Sequence, residues 1–494
     1  MHRRKFCKTA LATGLAASLP GCDVGPSGAS RRAARTINAI TGAGDEVNIE
    51  RAAVSELAES LQGSLYLPSD EAYDVVRKVW NGMIDKHPAM VVQCRSVVDV
   101  ASAVRFAGER NLLVAVKGGG HSFPGKSTCD GGMMIDLSQL HGVDVDVNAK
   151  IARVDGGALL GHLDGAALAH NLVTTAGVVS HTGVGGFTLG GGMGRTDRLH
   201  GLAIDNLLAA TVVTATGDVL RASDEENADL FWAIRGGGGN FGVATEFVYR
   251  LHPFNPSVYG GNLIYSFDQA RDLLRFYAEF NEGLPDEASI EPQFVFGDSG
   301  EPVVEVQVCY AGDHAAGEKL MAPLVAFGKP LSGELGAASY QQMQTSADSA
   351  LAHGALYYLK SGFLIELTEA SIDAMVGNFE GDHLPFTWFQ HLGGASSRIA
   401  PDETAYPHRN VRFNYGIMDA WADPAGSEMR IAAVRRYYKE LQPHMKGFYT
   451  NLNDDTEKKT WGNFGENYPR LVALKNKYDP TNLFRLNANI QPTV

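Results

Sequence analysis

Apolar positions near the start of the globular part follow a helical period and then a strand-like run. They recur at helical spacing within residues 98–109, at Val98, Ala101, Val104 and Ala107. Ser96 stands directly before this stretch and predicts a helix cap. The apolar run 112–116 then predicts a buried strand. A helix followed by a buried strand is typical of α/β architecture.

Further apolar runs predict a series of short strands joined by turns. Strands are expected at 133–137, 143–147, 151–154, 206–214 and 219–220, and a helix is expected at 159–170. Gly217 and Asp218 provide the turn between the last two strands, which predicts a hairpin. We therefore assign residues 48–252 to one domain.

The pattern changes near Pro253, where glycine clusters fade. Strands are predicted at 302–310, 386–392 and 412–421, and helices at 269–281 and 429–441. This alternation predicts a second α/β domain over residues 253–446. The remaining segment, 447–494, is predicted to contain a strand that places Tyr449 and Asn451 on one face and a helix at 470–478.

Composition and charge restrict the class of protein. The chain has 494 residues, of which 45% are hydrophobic and 20% charged, so we expect a globular protein of two or three domains. Its formal charge is −14, which supplies no basic surface for a phosphate backbone. Nucleic acid is therefore not an expected partner.

The N-terminus has the pattern of an export signal. Arg3 and Arg4 resemble a twin-arginine motif, and the apolar run 9–19 that follows is too short for a membrane anchor. Residues 19–22 resemble a lipoprotein box that would acylate Cys22, although Pro20 is unusual there and an ordinary signal peptidase is the alternative. We expect a signal at 1–22, a flexible tether at 23–47 and a periplasmic or cell-surface location.

The cysteines predict neither a disulfide framework nor a metal site. Cys94, Cys129 and Cys309 remain after the signal, and they form no CxxC pattern. At most one disulfide bond can form among three cysteines.

Three glycine clusters carry the candidate chemistry. The first consists of Gly118, Gly119 and Gly120, after the strand at 112–116, and it ends in His121 and Ser122. The second is interleaved with apolar residues and contains Gly183, Gly185, Gly186, Gly190, Gly191, Gly192 and Gly194. The third comprises 236–239 and Gly242. Exposed backbone NH groups in ordered glycine segments favour a bound anionic or planar ligand, and three clusters indicate an extended one. The acidic residue that an NAD-type fold places about 20 residues after its glycines is absent.

One predicted strand offers a candidate substrate surface. Within 386–392 the side chains of Phe386, Trp388 and Gln390 share one face, and Gln390 is the polar group on it. Gln390 is a candidate substrate contact if that face lines a pocket.

Taken together, these motifs resemble the berberine bridge enzyme type of FAD-linked oxidases, which are flavoproteins of the PCMH or vanillyl-alcohol-oxidase type. The resemblance covers residues 66–492 and rests on four segments: 117–122, 183–206, 231–242 and 467–484. It implies an α+β or α/β fold of two domains, with the FAD domain built from 48–252 and 447–494 and a substrate domain inserted between them.

The resemblance also implies roles for single residues. His121 would carry the flavin on its 8α-methyl group. Many relatives add a cysteinyl link at the position that Val179 holds here, so this chain is closest to the histidyl-only branch that includes 6-hydroxy-D-nicotine oxidase. Thr182 matches the position that controls access of oxygen. His181 lies two positions beyond Val179 and is not an obvious substitute for the missing thiolate.

We expect the cofactor and substrate contacts to be divided between the glycine segments and the later strands. The backbone of 118–122 and 183–186 would hold the pyrophosphate, Val243 the flavin or adenine part, and Asn467 is a further candidate cofactor contact. Tyr449 is the leading proton acceptor, provided that its neighbours lower its pKa. Asn451 and Gln390 would orient the substrate.

The activity that this predicts is oxidation of a small alcohol, sugar or amine by hydride transfer to FAD, with oxygen as acceptor. Two alternatives stay open. One is a dehydrogenase that uses a quinone or another acceptor, and the other is a flavin-binding lipoprotein without turnover.

Overall fold

Antiparallel sheets dominate the computed structural model, which describes residues 35–297, 299–379, 384–452 and 462–494. The predicted signal and Cys22 lie outside the described residues. Residues Thr36–Val494 form one compact unit. None of its described helices is long and apolar enough to cross a membrane.

The first part of the chain forms two sheets. The four-stranded sheet contains, in spatial order, Ser64–Tyr66, Met90–Gln93, Met133–Asp136 and Val114–Lys117. The five-stranded sheet contains Val219–Ser223, Leu207–Val213, Val243–Arg250, Ile151–Asp155 and Val143–Asp146. The helices here are Arg51–Ser60, Tyr73–Val76, Val97–Glu109, Leu160–Leu168, Val184–Leu189, Asp197–His200 and Ala228–Ile234. Two of the three strand pairs in the four-stranded sheet are parallel, Met90–Gln93 with Met133–Asp136 and Met133–Asp136 with Val114–Lys117, so the predicted α/β character is confined to this small region.

Local sequence explains the helix Val97–Glu109. The Ser96 hydroxyl accepts a hydrogen bond from the Asp99 backbone N at 3.2 Å, which satisfies one of the free NH groups at the helix start. The helix Val97–Glu109 then buries Val100, Val104 and Ala107. The predicted cap is confirmed.

A seven-stranded antiparallel sheet forms the middle of the chain. In spatial order its strands are Ser332–Ser339, Ser257–Ser266, Pro302–Tyr310, Ala288–Phe296, Phe386–His391, Phe413–Trp421 and Leu356–Leu364. Its helices are Ala270–Phe280, His314–Ala326, Tyr340–Thr345, Glu369–Gly377 and Ser427–Leu441. The expected α/β arrangement is wrong for this region, because every strand pair is antiparallel, and the region is α+β.

The alternation of side chains gives this sheet two different faces. Leu273, Met321 and Val434 from three helices pack on one face with strand residues such as Val306 and Ile417. The alternate positions, among them Glu305 and Met418, point to the opposite face and line a cavity.

The C-terminal segment packs against the first part of the chain. Leu471 and Tyr478, from the helix Tyr468–Tyr478, share a core with Phe231 and Phe247. Lys475 and Asp479 form a fully buried ion pair of 2.6 Å in the same segment.

Two local predictions need correction. The tether cannot extend to residue 47, because Thr36–Ile40 and Glu46–Glu50 pair as an antiparallel hairpin. Tyr449 and Asn451 do not lie on a strand, since Thr450–Leu452 is a 3₁₀ turn. The alternation of Val47 and Ile49 with polar residues is a strand signal that the tether prediction overlooked, whereas the turn Thr450–Leu452 has no hydrophobic period.

Candidate functional site

A cavity of about 1160 Å³ lies where the glycine segments face the seven-stranded sheet. Its lining includes these predicted site residues: Gly118, Gly119, Gly120, His121, Ser122, Thr182, Gly183, Gly185, Gly186, Val243, Gln390, Tyr449 and Asn451. The fold thus brings together residues that are more than 300 positions apart in sequence. The volume exceeds what one small ligand commonly occupies, so a cofactor and a substrate can share it.

Two of the glycine segments touch each other. A Cβ atom on Gly119 would collide with the Gly183 backbone, so the close approach requires glycine at both positions. Gly183 precedes the short helix Val184–Leu189, which contains Gly185 and Gly186. A helix forms here despite the density of glycine, because its six residues pack Val184 and Leu189 into the core.

The His121 ring is held by an aromatic stack. Trp80 lies parallel to it with ring centroids 4.7 Å apart and an interplanar angle of 17°. Trp80 is itself stacked on Tyr357 at 3.9 Å, and its Nε1 donates a hydrogen bond to the Leu351 carbonyl at 2.7 Å. The imidazole is therefore fixed in one plane at the cavity wall.

Two more histidines surround His121. Its Nε2 lies 2.6 Å from the Nδ1 of His181, which is hydrogen-bond distance, and the His353 ring centroid lies 5.8 Å from the His121 centroid. One nitrogen atom from each of the three rings lies within 4.8 Å of the corresponding nitrogens of the other two. A tetrahedral zinc ion would separate two ligand nitrogens by about 3.3 Å. The 2.6 Å separation therefore favours a shared proton over a metal ion between His121 and His181.

Burial lowers the pKa of His121 well below its ordinary value, and His181 and His353 add to the effect. His121 is consequently neutral near pH 7. A neutral imidazole keeps a free electron pair and can act as a nucleophile.

Tyr449 and Asn451 form a hydrogen-bonded pair at the cavity. The Tyr449 hydroxyl accepts hydrogen bonds from the Gly192 backbone N at 2.9 Å and from Asn451 Nδ2 at 2.8 Å. Asn451 Nδ2 also donates to the Phe187 carbonyl at 3.0 Å. Burial raises the pKa of Tyr449 to about 12, although both donors oppose the rise. The lowered pKa that a basic role requires is thus not provided by the protein alone.

Gln390 and Trp388 belong to the sheet side of the cavity. The Gln390 amide oxygen accepts a hydrogen bond from Asn414 Nδ2 at 2.7 Å, so the Gln390 NH₂ group is what it presents to a ligand. The Trp388 indole lies over Gly416 on the adjacent strand, where a Cβ atom would collide with it. An indole that lies across the sheet offers a flat apolar surface to the cavity.

Polar side chains from three strands continue this surface. Arg195 donates to Glu291 at 3.0 Å and to Gln307 at 2.9 Å, and the Arg195–Glu291 ion pair is buried. Beside them, the Glu305 carboxylate accepts hydrogen bonds from Asn262 at 2.5 Å and Gln307 at 3.4 Å. Burial raises the pKa of the Glu291 and Glu305 carboxyl groups. Arg195 opposes the rise at Glu291, and the hydrogen bond from Gln307 opposes it at Glu305.

Asn467 is the one predicted site residue that the structure places elsewhere. Its side-chain NH₂ donates to the carbonyls of Pro401 at 2.8 Å and Thr404 at 3.1 Å. It secures a loop and does not line the cavity, so its assignment as a cofactor contact is corrected.

Several residues of the site carry no sequence signal of their own. Trp80, Arg195, Glu291 and Glu305 come from distant elements and were not predicted. Alternating polarity in 302–310 would have placed Glu305 and Gln307 on one face, but it could not show which face borders a cavity.

The lining matches the chemistry of a flavin nucleotide. Ten glycines line the cavity in the three clusters, at 118–120, 183–186 and 237–242, and leave backbone NH groups and space for a phosphate or a flat ring. Ser127, which also lines it, has a buried hydroxyl without a hydrogen-bond partner among the described residues. These features fit FAD, and His121 is the nucleophilic side chain that lines the cavity beside the glycine segments.

Comparison with known proteins supports the same cofactor. A family model described as an FAD binding domain matches residues 88–223, and one described as berberine and berberine like matches residues 448–491. An FAD-linked oxidoreductase of Dictyostelium discoideum is 32% identical over 449 residues, or 89% of this chain and 97% of the relative. A chitooligosaccharide oxidase of Gibberella zeae is 30% identical over 463 residues, or 84% and 89%. Among solved structures, 6-hydroxy-D-nicotine oxidase of Arthrobacter nicotinovorans has a TM-score of 0.81 at 29% identity and covers 87% of this chain and 98% of its own.

Proposed function

The chain belongs to the berberine bridge enzyme-like FAD-linked oxidoreductases, and on that premise we propose that it is an oxidase of a saccharide or related polyol, with FAD attached to His121. The observation that carries the substrate class is the sheet side of the cavity. It combines one flat indole with carboxylate and amide groups on neighbouring strands.

Each part of that surface suits a polyhydroxylated ring. Carboxylate and amide oxygens accept hydrogen bonds from hydroxyl groups, and amide NH₂ groups donate to them. Glu305, Gln293 and Gln390 line the cavity on adjacent strands, and Trp388 lies among them. The apolar face of a sugar ring would stack on Trp388 while its hydroxyls meet the polar groups. The relative named chitooligosaccharide oxidase supports this class.

The cofactor link that we propose is a single bond from His121 to the flavin 8α carbon. His121 is neutral, fixed by Trp80 and located at the cavity wall. Val179 lines the cavity at the position where a second, cysteinyl link occurs in relatives, and it cannot form one.

Bound FAD would accept a hydride from the substrate and pass the electrons to oxygen. The protein's own part is to exclude water, hold the substrate on the sheet side and receive the hydroxyl proton. Tyr449 is placed for the last role because its oxygen already accepts two NH hydrogen bonds, and both favour the phenolate. Thr182 is compact and leaves room for oxygen.

An anaerobic substrate panel tests this proposal. We expect saccharides to bleach the flavin absorbance and cyclic amines to leave it unchanged, and we expect readmitted air to restore the colour. Bleaching by amines alone would favour an amine oxidase, as the relation to 6-hydroxy-D-nicotine oxidase allows. Slow reoxidation in air would favour a dehydrogenase, and no bleaching by any compound would favour a flavin-binding protein without turnover.

For the location we propose export by the twin-arginine route, supported by Arg3 and Arg4. Replacing both arginines by lysine should retain the protein in the cytoplasm, as cell fractionation would show. Incorporation of labelled palmitate that is lost in a Cys22→Ser variant would establish the lipid anchor, and its absence in the wild type would favour ordinary cleavage.

A further inference from the structure

The role proposed for His121 leaves His181 unexplained. The Nε2 atom of His181 is buried and has no hydrogen-bond partner among the described residues, while its Nδ1 is 2.6 Å from His121 Nε2. An unpaired nitrogen in a buried ring costs free energy, so its presence calls for a functional explanation.

The two nitrogens of His121 have different surroundings. Nε2 contacts His181, whereas Nδ1 lies 3.5 Å from the Thr182 hydroxyl, beyond a good hydrogen bond. Nδ1 is therefore the nitrogen whose electron pair is available to the flavin. Nε2 then carries the ring proton and donates it to His181 Nδ1.

We propose that His181 is the base that makes His121 reactive during attachment of the flavin. The inference rests on the covalent link of the proposed function. As His121 Nδ1 bonds to the flavin 8α carbon, positive charge develops on the His121 ring. Transfer of its Nε2 proton to His181 removes that charge.

The reaction balances with oxygen as the oxidant. One C–H bond of the 8α-methyl group and one N–H bond of His121 break, and one C–N bond forms. The two electrons that remain on the flavin pass to oxygen, which leaves with two protons as hydrogen peroxide. No further reactant is needed.

His353 provides an exit for the proton. Its ring centroid lies 4.9 Å from that of His181, and its side chain is exposed to solvent. His181 can release the proton from Nε2 toward the His353 ring, which passes it to solvent, while Nδ1 receives the next one. This proton route accounts for the lack of a hydrogen-bond partner at His181 Nε2 among the described residues.

The test compares flavin attachment in full-length variants. The wild type, His181→Ala and His181→Asn are purified, supplied with FAD in air and denatured with acid at intervals. The flavin that remains with the precipitated protein and the mass of the peptide containing His121 measure the covalent fraction. The control is His141→Ala, which alters an exposed histidine outside the cavity.

We expect His181→Ala to bind FAD but to attach it at least tenfold more slowly than the wild type and His141→Ala. Added imidazole should recover part of the rate. His181→Asn can accept the hydrogen bond but cannot pass the proton on, so it should be as slow as His181→Ala.

Two results would overturn the proposal alone: attachment by His181→Ala at the wild-type rate, or loss of FAD binding in both variants, which would make His181 a binding residue. A wild type without covalent flavin would overturn the covalent link and this inference together. The experiment therefore distinguishes an error in the role of His181 from an error in the covalent bond between His121 and the flavin.

Discussion

The two sides of the cavity are built in opposite ways. The glycine side consists of backbone from three segments, 118–122, 183–186 and 237–239. Each segment is a short continuous stretch of the sequence. The sheet side consists of single side chains, such as Glu291, Glu305 and Trp388, that project from separate strands.

This difference determines which residues of the cavity tolerate substitution and which do not. A side chain added to Gly119 meets the Gly183 backbone and disturbs both segments. A change at Trp388 or Glu305 leaves the main core of the sheet intact, because that core lies on the opposite face, although Trp388 also packs with the cluster that contains Trp80. The glycine side is therefore suited to a constant cofactor and the sheet side to a substrate that differs among relatives.

The largest effect is expected on the glycine side. Gly119→Val should reduce bound FAD to under a tenth and lower the free energy of unfolding by about 2 kcal/mol, since the added side chain forces two packed segments apart. Flavin absorbance per protein and urea unfolding measure both. Gly165→Val is the matched control, because its added Cβ would meet no atom within 4 Å beyond its own helix and chain neighbours, and Gly165 does not line the cavity. FAD binding at the wild-type level by Gly119→Val would refute the packing argument.

A second, smaller effect is expected at Tyr449, between the two sides. Tyr449→Phe removes the proton acceptor and should slow flavin reduction by substrate about 100-fold, with FAD content unchanged. Stopped-flow absorbance without oxygen measures this rate. An unchanged rate would exclude Tyr449 as the base.

The pH dependence of the flavin reduction rate is a second test of Tyr449 as the proton acceptor. A phenol with a pKa of about 12 is protonated at pH 7, so the fraction of phenolate increases as the pH rises toward that value. The reduction rate should therefore increase between pH 7 and 10 in the wild type and lose this dependence in Tyr449→Phe. A wild-type rate that is flat over this range would show that substrate or cofactor lowers the pKa of Tyr449.

On the sheet side, Trp388→Ala should lower kcat/KM about tenfold, equivalent to about 1.4 kcal/mol, mainly through KM. The FAD content should stay constant, because the indole belongs to no glycine segment and Trp80, which it packs beside, remains stacked on Tyr357. Trp388→Phe keeps an aromatic surface and should lose less. Loss of FAD in Trp388→Ala would show that the sheet side also holds the cofactor, which would contradict the division into a cofactor side and a substrate side.

The smallest effect on turnover is expected at the joint between the sides. Gln344 Nε2 donates hydrogen bonds to Asp164 at 3.2 Å, Ala176 at 3.3 Å and Gly177 at 3.2 Å, and so links the helix Tyr340–Thr345 to the segment before the second glycine cluster. Burial raises the pKa of Asp164 from 3.8 to about 7.

The folded protein therefore retains a proton on Asp164 that the unfolded chain releases between pH 4 and 7. Stability from this group is present at low pH and is lost as the pH rises through 7. Asp164→Asn should match the wild type near pH 4 and be more stable by roughly 4 kcal/mol at pH 7.5, with kcat/KM unchanged. Thermal unfolding at both pH values measures the difference, and parallel pH profiles would contradict it.

The sequence allowed the glycine side to be located, but of the sheet side it indicated one strand alone, 386–392 with Gln390. Gly118, His121 and Gly183 belong to contiguous motifs, and their chemistry is local. Trp388 and Glu305 become neighbours of one ligand only through the strand order of the seven-stranded sheet, which pairs Phe386–His391 with Ala288–Phe296 across long loops. No period in the sequence specifies that order.

Secondary structure follows the same division. The helix Val97–Glu109 and the strand Pro302–Tyr310 were predicted because hydrophobic period and capping are local properties. The α/β assignment of 253–446 failed since strand direction depends on distant pairing. The contact between Tyr449 and Asn451 was anticipated from a strand, whereas a 3₁₀ turn produces it.

The three buried cysteines give each part of the molecule its own reporter of local opening. Cys94 and Cys129 lie in the first part of the chain and Cys309 in the seven-stranded sheet, and all three are free thiols. Burial raises their pKa values, so none reacts with alkylating reagents while its surroundings stay closed. The order in which peptides containing them become alkylated would show which part of the enzyme opens first, and whether bound flavin delays one part more than the other.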